Sequence, residues 1–316
     1  MGKGIKKDYA FCLLMEAKPR VGVVGDINLD IIAFHRDLPG LGGESIAGKA
    51  SLAPGGSAAN VAHALAVLGV DVLLVGCVGD DAVGEMLVEE LSKKGVDTTL
   101  IQRTSREPTG VTYVAVVEGE RTMLAFRGAN KYMEYSKIDI TTLAGAELIH
   151  VSGYSLAEGS QREATARLLE EIRGDITRTL DLCRPLAELN KHEITKTLSS
   201  FNYVFMNTNE FNIIRGSVGL GSVEQLAEEL GCIIVLKKGR LGCEVTTPDG
   251  DSIAIDSYES SSVDSTGAGD AFVAGFIYEL LRGSSLRRCG ETASKLGALA
   301  ASVIGGRIPD DVKRIL

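Results

Sequence analysis

The chain has 316 residues, and 45% of them are hydrophobic, which is enough to bury the core of one large domain or of two smaller ones. It carries 33 Lys and Arg residues against 42 Asp and Glu residues, a formal net charge of −9. No basic run extends beyond Lys6-Lys7 and no stretch is apolar enough to cross a membrane, so we expect a cytoplasmic protein that binds neither nucleic acid nor membrane.

The first residues superficially resemble a signal peptide, since Lys3, Lys6 and Lys7 precede a short apolar run. The run is at the short limit, and no small-residue cleavage site follows it. We therefore predict a disordered N-terminal extension over residues 1–19. The six cysteines are scattered without a Cys-x-x-Cys motif, so we expect free buried thiols rather than a metal site or disulfides.

From residue 20 onward, strand and helix patterns alternate. Apolar runs bounded by turn residues predict core strands at 20–25, 72–78, 147–151, 176–182, 202–206 and 232–236. Apolar residues at helical spacing predict helices at 80–94, 161–173, 191–201, 223–230, 271–282 and 286–304. Extended pieces at 31–34 and 45–52, and a hairpin of 109–117 and 122–127, interrupt this order. Such alternation indicates a parallel sheet covered by helices on both faces.

The stretch 264–270, Asp-Ser-Thr-Gly-Ala-Gly-Asp, stands where an extended segment gives way to a helix. A helix N-terminus presents unpaired N–H groups and the positive end of a dipole, so it can receive an anion. Gly267 and Gly269 carry no side chain that would keep a phosphate away. Asp270 follows in the first turn, where a carboxylate can deprotonate a hydroxyl beside a neutralised phosphoryl group. For an isolated motif, an N-capping Asp after a glycine turn is the default interpretation.

A second glycine motif, Gly-Gly-Ser-Ala-Ala-Asn at 55–60, begins another predicted helix. The two motifs together closely resemble the paired signatures of the ribokinase-like (PfkB-type) carbohydrate kinases. Three supporting motifs follow the order of that family: Gly-Asp-Ile-Asn-Leu-Asp at 25–30, Asn-Thr-Asn-Glu at 207–210 and Lys-Lys-Gly-Arg-Leu-Gly at 237–242. The resemblance covers roughly residues 20 to 310.

The resemblance implies an α/β fold, a ribokinase-like α/β/α sandwich with a mostly parallel central sheet and a small β-sheet lid. It implies one kinase domain over 20–316, with lid segments at about 31–53 and 104–127. A lid excludes water, so that ATP hydrolysis does not compete with transfer. Many relatives dimerise through the lid, and we expect a homodimer here, with Val114, Val116 and Met123 on its outer face.

The implied activity is ATP-dependent phosphoryl transfer to a hydroxyl of a sugar or sugar-like small molecule. The implied general base is Asp270, and the backbone N–H groups of Gly267, Ala268 and Gly269 form the implied anion hole. Asp30 is expected to be the main hydroxyl-binding carboxylate. The full set of expected acceptor-binding residues is Asn28, Asp30, Gly55, Gly56, Asn60 and Arg127.

On the nucleotide side the resemblance implies contacts from Asn207, Lys237, Gly239 and Gly242. Glu210, with Asn207, is expected to hold Mg²⁺ and phosphates, largely through water. Asp264 and the carbonyl of Thr266 match positions that hold a monovalent cation such as K⁺ in potassium-activated members.

Two departures from the family pattern concern the acceptor. Tyr154 in Ser-Gly-Tyr at 152–154 stands where ribokinases proper carry a glutamate, which puts ribose in doubt, and Cys183 replaces the Asn of an Asp-x-Asn-x-Arg element. A purine or other nucleoside is the second acceptor class, although the Glu-Arg-Thr at 120–122 favours the sugar branch. A non-catalytic sugar or nucleotide sensor is a further alternative. A dinucleotide-binding oxidoreductase is disfavoured, because Phe272 stands where the third glycine would fall.

Overall fold

The computed structural model describes residues 19–143, 145–172, 176–258, 263–303, 305, 307–309 and 312. Residues 1–18 of the predicted N-terminal extension, including Cys12, lie outside the described residues. The other cysteines are buried and unpaired, as predicted: Cys77, Cys183, Cys232, Cys243 and Cys289. Within the described part, no helix combines the length and the apolar character that a membrane crossing requires.

The elements of the described part alternate much as the sequence pattern predicts. The strands are β1 Arg20–Val24, β2 Asn28–Phe34, β3 Lys49–Gly55, β4 Asp71–Gly79, β5 Val96–Asp97, β6 Ile101–Thr104, β7 Gly110–Val117, β8 Glu120–Phe126, β9 Ala146–Ser152, β10 Thr177–Asp181, β11 Tyr203–Asn207, β12 Ile233–Lys237, β13 Cys243–Thr246 and β14 Ser252–Ile255. The α-helices are α1 Ser57–Val67, α2 Ala82–Lys93, α3 Gly159–Glu171, α4 Arg184–Ala187, α5 Lys191–Leu198, α6 Thr208–Val218, α7 Val223–Leu230, α8 Ala268–Leu281 and α9 Leu286–Ala301. Short 3₁₀ helices lie at Gly128–Tyr132, Tyr135–Lys137, Ile140–Leu143, Gly153–Leu156 and Gly239–Leu241.

The large sheet has the order β14-β13-β12-β11-β10-β9-β1-β4-β5, and β6 also pairs with β4. Its strands are parallel from β12 to β5, and β13 and β14 are added antiparallel at one edge. Because the parallel strands run the same way, their carboxyl ends meet along one edge of the sheet, where ligands bind in open α/β folds. That edge carries the candidate site.

Helices cover both faces of the large sheet, so that a hydrophobic core lies on each side. Successive strand residues point to opposite faces, and accordingly Val23 and Val24 belong to different cores. On one side Phe276 of α8 packs edge-on against Phe205 of β11, with ring centroids 5.2 Å apart. The architecture is therefore the predicted α/β/α sandwich with a mostly parallel central sheet.

A separate four-stranded sheet, β3-β2-β7-β8, forms the lid. It spans 28–55 and 110–126, so β2 begins three residues before the predicted segment, and 104–109 lies outside the lid sheet. The β7–β8 connection is also shorter than predicted, since Val117 pairs with Glu120. The two turn residues, Glu118 (φ 50°) and Gly119 (φ 85°), both have positive φ, which a tight hairpin turn requires.

The predicted orientation of the lid strands is wrong. Asp30 pairs with Thr112, so Val114 and Val116 share the face of Asp30 and are buried with Ile32. Met123, opposite Val114, lies on the same face and lines a cleft beside the large sheet. The exposed outer face instead carries other apolar side chains, Leu52, Leu124 and Phe126.

The sequence pattern also misses some elements. For helix α6, the sequence indicates only a helix start at Glu210, without the extent of the helix. The β13–β14 hairpin was not predicted. Helix α6 begins with a capping box, in which the Asn207 side chain accepts from the Glu210 N–H and Glu210 accepts from the Asn207 N–H. Both missed elements border the nucleotide side of the candidate site.

Candidate active site

Asp270 lies in the first turn of α8, at the carboxyl edge of the large sheet. Its Oδ1 accepts from the Ser57 hydroxyl at 2.9 Å, and its Oδ2 accepts from the Asn60 amide at 2.8 Å. Burial raises the pKa of Asp270 to about 6, because desolvation disfavours the carboxylate more than these two donors stabilise it. The two glycine motifs, more than 200 residues apart, thus meet at one carboxylate.

The loop before α8 leaves backbone donors free. Gly267 is the N-cap residue and adopts a left-handed conformation (φ 68°), which a side chain would disfavour. Among the described residues, the N–H groups of Gly267 and Gly269 make no hydrogen bond, whereas the Ala268 N–H donates to the Ser265 carbonyl at 3.2 Å. Two of the three predicted anion-hole donors are therefore unpaired.

Asp264 stabilises the conformation of this loop. Its Oδ1 accepts from the Thr266 N–H at 2.9 Å and from the Thr266 hydroxyl at 2.6 Å. Its Oδ2 accepts from the Gly305 N–H at 3.0 Å. Asp264 is buried, and its contacts are those of a loop-ordering carboxylate.

On the lid side, Asp30 is buried against Gly55. A Cβ on Gly55 would lie 2.2 Å from the Asp30 carboxyl group, so only glycine allows this approach. Burial, with a smaller contribution from the charge of Asp270, raises the pKa of Asp30 to about 7. Gly56 has φ 92°, and a Cβ there would lie 2.4 Å from the Asp26 carbonyl oxygen.

Asn28 and Arg127, which are predicted to bind the acceptor molecule, belong to a polar network at the base of the lid. The Asn28 Oδ1 accepts from the Asn130 amide at 2.7 Å. Arg127 binds Asp26 through two hydrogen bonds, from Nε at 2.9 Å and from Nη2 at 2.8 Å. The Gln161 side chain also accepts from Arg127, so most of its donors already have protein partners.

On the opposite side of Asp270, the ends of three neighbouring strands form a charged cluster. Lys237, the last residue of β12, donates to Asp181, the last residue of β10, at 2.5 Å. Glu210 lies in the first turn of α6, which follows β11, the strand between those two, and burial raises its pKa to about 7. The Lys237 ammonium is 3.6 Å from the position that a Cβ on Gly269 would occupy. It therefore lies directly beside the loop at 264–269 that contains the predicted anion-hole residues, which we call the anion loop.

A cleft of about 1140 Å³ opens next to this cluster. Lys237, Gly239 and Gly242, three of the four residues that the sequence analysis assigned to a nucleotide, line it, and Asn207 is not among the lining residues. The tip of the β7–β8 hairpin forms another wall, where Arg121 donates to the Thr266 hydroxyl at 3.1 Å. The lid therefore reaches the loop that contains the free backbone donors.

Sequence reasoning missed several polar contacts of the site. Four residues lie within motifs that the sequence analysis names, but it predicts no role for them: Asp26, Ser57, Arg121 and Asp181. Their positions next to named site residues were a usable signal for Asp26 and Ser57. For Asp181 and Arg121, no local pattern indicates the partner, because it lies 56 or 145 residues away.

The chain is similar to known proteins of one family. The family model described as pfkB family carbohydrate kinase matches residues 18–313. An ATP-dependent ribose-1-phosphate kinase from Halopiger xanaduensis is 32% identical over 294 residues, which cover 91% of this chain and 94% of that protein. A 5-dehydro-2-deoxygluconokinase from Lacticaseibacillus casei is 28% identical over 264 residues, or 79% of each chain.

Two solved structures share the fold. The ribokinase from Thermotoga maritima superimposes with a TM-score of 0.79 at 25% identity and covers 92% of this chain and 96% of its own. The adenosine kinase from Sinorhizobium meliloti superimposes with a TM-score of 0.81 at 23% identity, with the same coverage. The chain therefore belongs to the pfkB family of carbohydrate kinases, and it is a kinase.

Proposed function

We propose that the protein transfers the γ-phosphoryl group of ATP to a hydroxyl of a sugar or sugar-like small molecule, with Asp270 as the general base. The observation that supports this most is the meeting of Ser57, Asn60 and Asp270 beside the unpaired N–H groups of Gly267 and Gly269. A carboxylate and an anion site within one helical turn are what transfer to an alcohol requires.

In the proposed reaction the acceptor hydroxyl gives its proton to Asp270 while its oxygen forms a bond to the γ-phosphorus. The bond between that phosphorus and the β–γ bridging oxygen breaks, and ADP leaves. The N–H groups of Gly267 and Gly269, and that of Ala268 once it exchanges the Ser265 carbonyl for phosphate, stabilise the charge on the transferred group. With a pKa of about 6, Asp270 is mostly ionised at neutral pH yet basic enough to accept the proton.

The acceptor is proposed to bind between the lid and Asp270. Asp30 would accept hydrogen bonds from the hydroxyls of the acceptor, and the backbone of Gly55 and Gly56 would lie close to the acceptor. Asn28 retains its amide donors, and Arg127 would contact the acceptor through Nη1, whose only described partner is Glu158 at 3.4 Å. Asn60, which donates a hydrogen bond to Asp270, would bind the acceptor molecule next to the general base.

The residues on the nucleotide side fit ATP and Mg²⁺. Lys237, Gly239 and Gly242 line the cleft, and Asn207 ends the neighbouring strand. Oε2 of Glu210 accepts from the Asn207 N–H, while its Oε1 has no hydrogen-bond partner among the described residues and could hold a hydrated metal ion. Bound Mg²⁺ would neutralise phosphate charge. Among the described residues, no group of three or more His, Cys, Asp or Glu side chains is placed to hold a metal ion.

Three further parts of the proposal concern K⁺, location and oligomeric state. Asp264 and the carbonyl of Thr266 are the proposed monovalent-cation ligands, although three hydrogen bonds already occupy the Asp264 carboxylate. A cytoplasmic location follows from the use of ATP as donor. Homodimer formation through the lid is proposed on its outer face, Leu52, Leu124 and Phe126.

The test is an ADP-release assay with Mg²⁺, with and without K⁺, over a panel of acceptors. The panel contains neutral hexoses and pentoses, ribose 1-phosphate, 5-dehydro-2-deoxygluconate and purine nucleosides. We expect turnover with one sugar-type acceptor, and for Asp270→Asn a loss of kcat of roughly 10³-fold or more with ATP affinity retained.

The outcomes separate the parts of the proposal. Turnover of a nucleoside alone would contradict the sugar assignment, and near wild-type kcat for Asp270→Asn would contradict the base. ATP binding without turnover of any acceptor would favour a sensor. A rate that does not change on replacing K⁺ by tetramethylammonium would remove the cation from Asp264.

A further inference from the structure

We propose that Asp181 is a positioning residue, which holds the Lys237 ammonium beside Gly269 so that its free donors face the phosphates of the nucleotide. The inference rests on the proposed function, because it assumes that the anion loop receives phosphate. The geometry that carries it is a buried ion pair between the ends of β10 and β12, which spans the end of β11.

The ion pair fixes the ammonium at a defined place. The Lys237 side chain is 16% exposed and that of Asp181 is 10% exposed, so neither charge is solvated as a free ion would be. Asp181 is the only described hydrogen-bond partner of the Lys237 Nζ. An ammonium has three donors, so two remain for an incoming oxyanion.

Because several carboxyl groups act on the Lys237 ammonium, it needs a partner that fixes its position. Asp181, Glu210 and Asp270 are close enough that each raises the pKa of Lys237, although burial alone would lower it. Three carboxyl groups thus act electrostatically on one ammonium, and the bound nucleotide would add further negative charge. Without Asp181 the ammonium would be attracted towards the other two carboxylates, and Glu210 would compete with phosphate for it.

The consequence is that the effect of losing Asp181 should change sign with the state of residue 237. While Lys237 is present, Asp181 orients a cation that attracts phosphate, and its loss weakens binding. When Lys237 is replaced by Met, Asp181 is a buried carboxylate with no cation beside it, and it repels phosphate. Its loss should then strengthen binding.

The experiment measures affinities of MgATP, MgADP and AMP by calorimetry for the full chain and three variants, Asp181→Asn, Lys237→Met and the double variant. We expect Asp181→Asn to weaken MgATP and MgADP binding roughly tenfold, about 1.4 kcal/mol, while AMP, which lacks the β- and γ-phosphates, is unaffected. We expect the double variant to bind MgATP more tightly than Lys237→Met alone. Because no acceptor is needed, the result does not depend on finding the substrate.

The neighbouring pair of Lys238 and Glu244 offers a matched control. Glu244→Gln also breaks a Lys–carboxylate pair at the end of β12, and it should leave all three affinities unchanged. If Asp181→Asn adds to the loss caused by Lys237→Met, or lowers AMP affinity equally, Asp181 is merely structural and the inference is wrong. A wild-type protein that binds none of the three nucleotides would contradict the proposed function itself, and the positioning role with it.

Discussion

Four carboxyl groups of the site have pKa values that burial raises, namely Asp30, Asp181, Glu210 and Asp270. In an unfolded chain each would ionise near its ordinary pKa, so folding above that pH requires a charged group to be desolvated. These residues therefore oppose folding at neutral pH, whereas the proposed function assigns them to hydroxyl groups and cations. Such a conflict between stability and activity is common at catalytic sites.

The conflict predicts a pH-dependent stability effect of Asp270→Asn. The pKa of Asp270 rises from 3.8 to about 6 on folding, so its contribution to stability is present below about pH 4 and is lost as the pH rises through about 6. Relative to wild type, the asparagine variant should gain on the order of 1–3 kcal/mol of unfolding free energy between pH 4 and pH 7. Urea unfolding at the two pH values measures this.

The exposed carboxylate of Asp249, in the turn between β13 and β14, provides a control. Asp249→Asn should show the same small difference from wild type at both pH values. An Asp270→Asn variant whose difference from wild type does not change with pH would contradict the assignment of a raised pKa to Asp270.

At the scale of elements, the acceptor side depends on how the lid strands meet α1. Strand β3 ends at Gly55, which pairs with Asn28, and α1 begins two residues later. The Asp30 carboxyl group occupies the space where a side chain at residue 55 would lie. The glycine therefore serves the packing of the two strands.

We predict that Gly55→Ala damages acceptor binding selectively. The added Cβ would lie 2.2 Å from the Asp30 carboxyl group and must displace it or separate β2 from β3. The KM for the acceptor should rise roughly tenfold or more, about 1.4 kcal/mol, while the KM for ATP changes less. Steady-state kinetics with both substrates varied distinguishes the two effects.

Gly48 is the matched control for this substitution. It precedes β3 in the same lid segment, and a Cβ there would meet no atom within 4 Å. Gly48→Ala should therefore leave both KM values close to those of wild type. Equal increases in the two KM values for Gly55→Ala would show that the lid as a whole, rather than Asp30, had been disturbed.

At the scale of the whole molecule, the lid has one face towards the site and one towards solvent. The outer face exposes Leu52, Leu124 and Phe126 by 68%, 67% and 47%. Large apolar side chains grouped on an exposed sheet are typical of an interaction surface, because water contact with them is unfavourable. A second copy of the chain is the occupant that we propose.

Accordingly, Leu124→Asp should convert a dimer into a monomer. A carboxylate at the centre of an apolar interface would have to be desolvated, which outweighs the contact it replaces. Light scattering after size exclusion measures the mass. Met86, half-exposed on α2, is the control, and Met86→Glu should remain dimeric. A monomeric wild-type protein, or a Leu124→Asp variant that stays dimeric, would contradict the proposed interface.

The sequence alone determined most of the fold, because the evidence for it is local. Hydrophobic periodicity located the six central strands of the ten-stranded large sheet and most of the helices that cover it, including α8. Glycine motifs at helix starts placed Asp270 and the anion loop, since a turn, a free backbone donor and a first-turn carboxylate lie within a few residues of one another. Elements with mixed patterns, such as α6, were harder to recognise.

Only the tertiary structure decided which residues meet. The pairs Asp181–Lys237 and Asp26–Arg127 join residues 56 and 101 positions apart, and no local pattern specifies such partners. The pairing of Asp30 with Thr112 likewise decided on which face of the lid sheet the Val114 side chain lies. A shift of one residue in the register of a strand would move every side chain to the other face. Local chemistry therefore marked the site, while strand register and long-range pairing determined its charges and its lid.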